Sequence, residues 1–116
     1  MKIERSLDGL KDDYDWVEVF KFEYASPVPF SNASNNAFVI EDVEEIIASV
    51  NGENDGADWV MIGKLKDGRF FKINASCDYT GWGCQEWGHS TVALTLDELI
   101  RLGVTDDERE RLEIQL

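Results

Sequence analysis

At 116 residues, with 43% hydrophobic, 11% aromatic and 30% charged side chains, the chain has the length and composition of one folded domain, residues 1–116, and not of a disordered tail or a two-domain protein. No apolar run approaches the roughly 20 residues of a membrane span, and Met1 to Leu10 alternates charged and apolar residues without a secretory h-region, so a cytoplasmic location is expected. Eleven Lys and Arg against 24 Asp and Glu give a net charge of -13, which argues against direct binding to nucleic acid or to anionic membrane.

The run from Trp16 to Tyr24 interleaves aromatic and β-branched residues with charge, which predicts a first strand with Trp16, Phe20, Phe22 and Tyr24 toward the core. Pro27 and Pro29 end it, because neither can donate to a ladder, and Ser31 to Asn36 reads as a polar loop. Val43, Ile46, Ile47 and Val50 then fall at i, i+3, i+4 and i+7, the spacing of one apolar stripe on a helix of about 10 residues. Asn51-Gly52 supplies the stop, and a loop runs to Gly56.

Trp59 to Lys66 and Arg69 to Ala75 flank Asp67-Gly68, the signature of a two-residue hairpin turn with positive φ at both central positions. In that register Leu65 faces Phe70, Lys64 faces Phe71, Ile62 faces Ile73 and Val60 faces Ala75. One face is then Val60, Ile62, Phe71, Ile73 and Ala75, while the other still carries Trp59, Met61, Leu65 and Phe70. Apolar residues on both faces predict a hairpin covered on both sides or buried against a partner, a homodimer among the alternatives. Lys64, Lys66, Arg69 and Lys72 gather near the tip.

Ser90 to Leu94 is a short fourth strand. Thr95 with Glu98 and Thr105 with Glu108 are capping-box patterns that start two helices, the first with Leu96, Leu99 and Ile100 as its stripe and Gly103 as its end, the second reaching about Glu113. The expected fold class is α+β, a small antiparallel sheet with a central β-hairpin packed against two or three short helices.

Between the hairpin and the fourth strand lies Cys77-Asp78-Tyr79-Thr80-Gly81-Trp82-Gly83-Cys84-Gln85-Glu86-Trp87-Gly88-His89, with both cysteines, the one histidine and two of the four tryptophans. Long glycine-bearing loops of this kind are usually functional. Three chemistries fit it. Cys77 and Cys84 could close a disulfide worth on the order of 2 to 3 kcal/mol, although a cytoplasmic setting disfavours one. Cys77, Cys84 and His89, with Asp78 or Glu86, could bind zinc, although the spacing lacks a paired Cys-x2-Cys knuckle. Both cysteines could instead be small buried hydrophobes, with the tryptophans plugging the core edge. A Cys nucleophile with His89 as base is formally available, but no phosphate-cradling loop, dinucleotide fingerprint or paired-histidine motif is present, so neither an enzyme nor a cofactor is expected.

Lys66-Asp67-Gly68-Arg69-Phe70-Phe71, the Cys-Asp-Tyr-Thr-Gly-Trp-x-Cys-Gln core at 77–85, Thr95 to Gly103 and Thr105 to Arg109 together resemble a group of small bacterial and phage-encoded proteins with no assigned activity. The likeness spans roughly the C-terminal half. It implies no catalytic or binding residues, but its phage association favours small inhibitors that occupy a partner's surface.

The acids are unevenly placed, with 13 of the 24 in the first 55 residues beside four of the 11 bases. They cluster at Asp8, Asp12, Asp13 and Asp15, at Glu41, Asp42, Glu44 and Glu45, and at Asp106, Asp107, Glu108 and Glu110. Acids at helix starts and solubility account for such clusters in one reading. In the other they form a surface that meets a basic protein. The leading functional expectation is therefore a small acidic protein-binding module, such as an anti-CRISPR or other counter-defence inhibitor, that blocks a basic nucleic-acid-binding surface. Asp12, Asp13, Asp15, Glu41, Asp42, Glu44 and Glu45 are its expected contacts, with Trp82 and Trp87 as aromatic anchors. The alternative is a small-ligand or zinc-binding domain using the Cys77–His89 loop.

Overall fold

The computed structural model describes residues 1–20, 28–29, 38–53, 56–76 and 87–114, with the backbone alone described at 28–29 and 87–89. The chain folds as α+β. After a 3-10 turn at Leu10–Asp12 come helix α1 (Tyr14–Phe20), strand β1 (Val28–Pro29), a second 3-10 turn at Ile40–Asp42, strands β2 (Val43–Val50), β3 (Trp59–Leu65), β4 (Phe70–Ser76) and β5 (Trp87–Ala93), and helices α2 (Leu96–Gly103) and α3 (Asp106–Leu112). The strands form one sheet in the order β1-β5-β4-β3-β2, antiparallel except for the short β1–β5 pair. Among the described residues no helix is long and apolar enough to cross a membrane.

Both faces of the sheet are buried within the chain. On one, Leu10 and the α1 residues Trp16 and Val19 pack on Val43, Ile46, Trp59, Met61, Leu65, Phe71, Ile73, Ala75 and Val92. On the other, Leu99 and Ile100 of α2 and Leu112 of α3 cover Ala48, Val50, Val60, Ile62 and Ala93. The hairpin is thus covered on both sides by the chain's own helices, the first of the two arrangements its apolar faces predict.

The segment expected as the first strand is a helix as far as Phe20, and its remainder, with Phe22 and Tyr24, lies outside the described residues. The deciding group is Asp13. Its Oδ1 accepts from the Trp16 amide at 3.2 Å and its carbonyl from the Val17 amide at 2.9 Å, so a helix start sits inside what reads as an acidic run. Trp16 and Val19, three apart, are buried, while Phe20 is half-buried and edge-packs on Phe38 and Phe71 at 6.1 and 6.0 Å.

The segment expected as a helix at 43–50 is strand β2. Two register irregularities against β3, between Val43 and Glu45 and between Ile46 and Ala48, explain the helical spacing. Each inserts one residue and resets the alternation. Val43 and Ile46 therefore share the α1 face, while Ile47 and Val50 belong to the α2–α3 face. The apparent single stripe is split between two faces, and its β-branched residues suit the pleat. Asn51 is not a helix stop: its Oδ1 accepts from Trp16 Nε1 at 2.8 Å.

The hairpin is present with a different turn. Leu65 N donates to Arg69 O and Gly68 N to Leu65 O, at 2.8 and 2.9 Å, and of the central pair Gly68 alone has positive φ, at 95°. This three-residue loop, Lys66–Gly68, shifts the register by one: Lys64 pairs with Phe70, Gly63 with Phe71, Ile62 with Lys72 and Met61 with Ile73. Trp59, Met61, Leu65, Phe71, Ile73 and Ala75 accordingly share one face, and Val60, Ile62 and Phe70 the other. At Gly63 a Cβ would stand 2.6 Å from the Phe71 ring and 2.5 Å from Glu45 O, so the ring needs a glycine beneath it.

The C-terminal half follows its local chemistry. Thr95 Oγ1 accepts from the Glu98 amide at 3.1 Å, and Thr105 with Glu108 forms the reciprocal box at 3.1 and 3.0 Å. The fourth strand of the hairpin sheet begins earlier than Ser90, at Trp87.

A candidate acidic docking groove

The chain folds back on itself before α1. Lys2 and Glu4 bond the backbone of Ser49 on the outer edge of β2, and the chain then turns so that residues 7–12 face the start of β2 across a groove of about 690 Å³. Leu7, Leu10 and Val43 line it with apolar groups. Asp8, Asp12, Glu41 and Glu44 line it with carboxylates, and Lys11 and Lys66 with ammonium groups. The groove therefore carries four acids against two bases. Asp12, Glu41 and Glu44 are exposed, as a charge that meets an incoming partner must be.

Of the seven acids expected at an interface, the structure thus brings three together, Asp12, Glu41 and Glu44, from segments some thirty residues apart. The other four are placed elsewhere. Asp13 is occupied by the Arg5 guanidinium at 3.0 Å and by the cap of α1. Asp42 locks the turn before β2, its Oδ2 accepting from Val39 N at 3.0 Å and its carbonyl from Lys66 N at 2.9 Å. Glu45 pairs with Lys64 in the ladder, on the sheet face opposite the one that carries Val43. Asp15 is exposed on α1, outside the groove. Glu44 also has the Lys64 ammonium at 3.8 Å, at an exposed position where such a pair contributes little.

Two features of the groove go beyond the expected contacts. Asp8, grouped with Asp12 in the sequence but not among the expected contacts, lines the groove with it. Its apolar lining comes from Leu7, Leu10 and Val43; Leu10 and Val43 belong to the buried core, so Leu7 alone gives a docking segment an apolar side chain to bury besides charge. Leu7, 44% exposed, carries the signal in hindsight: it is a large apolar residue set among charges.

Trp82, Cys77, Cys84, Asp78 and Glu86 lie outside the described residues. Trp87 and His89 are placed by backbone register alone, opposite Ser76 and Asn74 at the end of the sheet remote from the hairpin tip. Among the described residues no three His, Cys, Asp or Glu side chains converge to hold a metal ion. Of the tip cations, Lys72 is buried and bonded to Glu108, and Arg69 holds Asp67 at 2.8 Å.

Comparison with protein families, with curated proteins and with solved structures returns no match, so the geometry of the chain itself carries the functional reading.

Proposed function

We propose that the protein is a non-catalytic acidic binding module that acts in the cytoplasm by docking the groove between residues 7–12 and 41–44 onto a basic surface of a protein partner. The observation that supports this most is the convergence of two acidic segments, distant in sequence, around an apolar lining, in a chain of net charge -13. Complementary charge speeds encounter, and burial of the exposed Leu7 side chain adds to the life of the complex once formed. The partner that fits best is one whose basic surface normally holds nucleic acid, as for a phage-type counter-defence inhibitor.

Affinity capture from a bacterial lysate, washed at low and at high salt, tests the reading when the wild type is run beside a triple variant, Asp12→Asn, Glu41→Gln and Glu44→Gln. The expected result is a nucleic-acid-binding complex held by the wild type, displaced by its nucleic acid and by salt, and recovered at least about tenfold less by the variant. Equal recovery by both proteins at low salt would overturn the groove as the contact surface.

A further inference from the structure

The chain's one Asn-Gly pair, Asn51-Gly52, directly follows β2, and three elements meet on its asparagine. The Asn51 amide donates to Glu4 Oε1 at 2.7 Å, its carbonyl receives Arg111 Nη2 at 3.4 Å, and its side-chain Oδ1 accepts from Nε1 of the wholly buried Trp16 at 2.8 Å. The N-terminal segment, α3 and α1 are thus all tied to one exposed residue. Both members of the pair are imposed by the fold. A buried indole N–H needs an acceptor, and position 51 supplies it. At Gly52 a Cβ would stand 2.3 Å from the Trp59 ring and 2.6 Å from Ala57 O, so no larger residue fits there.

An asparagine before a glycine has a reaction open to it. The backbone nitrogen of the next residue, attacking the side-chain Cγ, closes a five-membered ring, and a glycine carries no side chain to obstruct the approach. Three groups take part, and their environments differ. Among the described residues nothing accepts from the Gly52 amide or from Asn51 Nδ2, so neither the nucleophile nor the leaving group is held back. The charge that develops in the attack gathers on Oδ1, where the Trp16 N–H already points. A fixed donor at the atom that gains charge lowers the barrier to reaching it.

We infer that Asn51-Gly52 is a self-modification site, at which the folded chain converts its own side-chain amide to a carboxylate. The Gly52 nitrogen gives up its proton to solvent and forms a bond to Asn51 Cγ. The Cγ–Nδ2 bond then breaks, and Nδ2 takes a proton from water and leaves as ammonia. Water opens the resulting succinimide at either carbonyl, which leaves aspartate or isoaspartate at position 51. Both products add a negative charge next to Glu4, and the isoaspartyl form also inserts a methylene into the main chain where the N-terminal segment, α1 and α3 are joined.

Incubation of the purified protein at mildly alkaline pH, native and unfolded in guanidinium chloride, followed by peptide mapping with mass detection, tests the site. The expected result is an amide-to-acid mass change at residue 51 that is at least as fast in the native protein as in the unfolded chain, a rate that rare unfolding of the native state cannot supply. Isoaspartyl and aspartyl peptides should separate as two peaks of equal mass, while the buried Asn74, followed by Ala75, stays an amide. Trp16→Phe, which keeps a ring in the core and removes the donor, should slow the native conversion about tenfold and leave the unfolded rate as it was. An intact Asn51 in the native protein beside a converted one in the unfolded chain would overturn the proposal. So would aspartate without isoaspartate, the mark of direct hydrolysis by water, or a native Trp16→Phe rate equal to that of the parent. The wild-type comparison decides by itself where the variant fails to fold.

Discussion

Lys72 sits on the central strand with its ammonium group enclosed, and Glu108 accepts from it with both oxygens while one of them also accepts from the Thr105 amide. Removing one member of such a pair leaves a buried charge alone. Lys72→Met is therefore expected to cost about 3 kcal/mol by urea unfolding. Adding Glu108→Gln, which keeps the helix cap and removes the charge, should recover most of that loss, and a double variant no better than the single would refute the argument. Asp58 behaves in the opposite sense to a paired carboxylate. Burial pushes its pKa up from 3.8, with Glu108 adding to the rise and Asn74, Arg111 and Lys72 opposing it. The folded protein then keeps this proton at pH values where the unfolded chain has lost it, so ionisation of Asp58 lowers stability as pH rises from 3.8 through the raised value. Asp58→Asn should be at least as stable as the parent at neutral pH, with the difference closing as pH falls below the ordinary carboxylate range. A difference that widens in acid would reverse the sign.

At the level of elements, the edge strand β2 shows how the fold protects an open border. Two irregularities, the exposed Glu44 and Glu45, and the N-terminal segment bonded at Ser49 all act against pairing with a foreign strand. Ser49 Oγ accepts from Arg5 N at 2.9 Å and donates to Arg5 O at 2.8 Å. Ser49→Ala should cost about 1 to 3 kcal/mol and speed proteolysis within residues 1–9; unchanged cleavage would show that the segment is held by other contacts. Legibility in the sequence follows the range of the deciding interaction. Thr95 and Thr105 announce α2 and α3 because a cap involves neighbours three residues apart, and Asp67-Gly68 announces a hairpin for the same reason. The register differs by one from what that pair predicts, since a single left-handed glycine rather than two left-handed residues makes the turn. Strand β2 read as a helix because the irregularities that space its apolar residues exist only against β3. Helix α1 read as a strand because nothing local distinguishes Asp13, the cap, from Asp12 and Asp15. The groove was half legible: its acids are visible in the sequence, but the turn that brings residues 7–12 to 41–44 is tertiary.

For the molecule as a whole, excess negative charge dominates. Twenty-four acids against 11 bases repel one another within a small volume, while most of the described ion pairs are exposed and contribute little. Screening should therefore relieve more repulsion than it removes attraction, and the melting temperature should rise by about 2 to 5 °C between low salt and about 0.5 M NaCl; a fall would mean that paired charges outweigh the repulsion. The same balance keeps free molecules apart until a basic surface offers compensation. One contact joins the two extremes of the fold: the Lys2 amide donates to the Leu112 carbonyl at 2.8 Å. The path from one to the other is thus nearly a closed ring. A short glycine-rich linker could join residues this near, and the ring could be reopened at the exposed tip around Asp67 and Gly68, giving a circular permutant that starts with β4 and keeps every layer of the sheet in place.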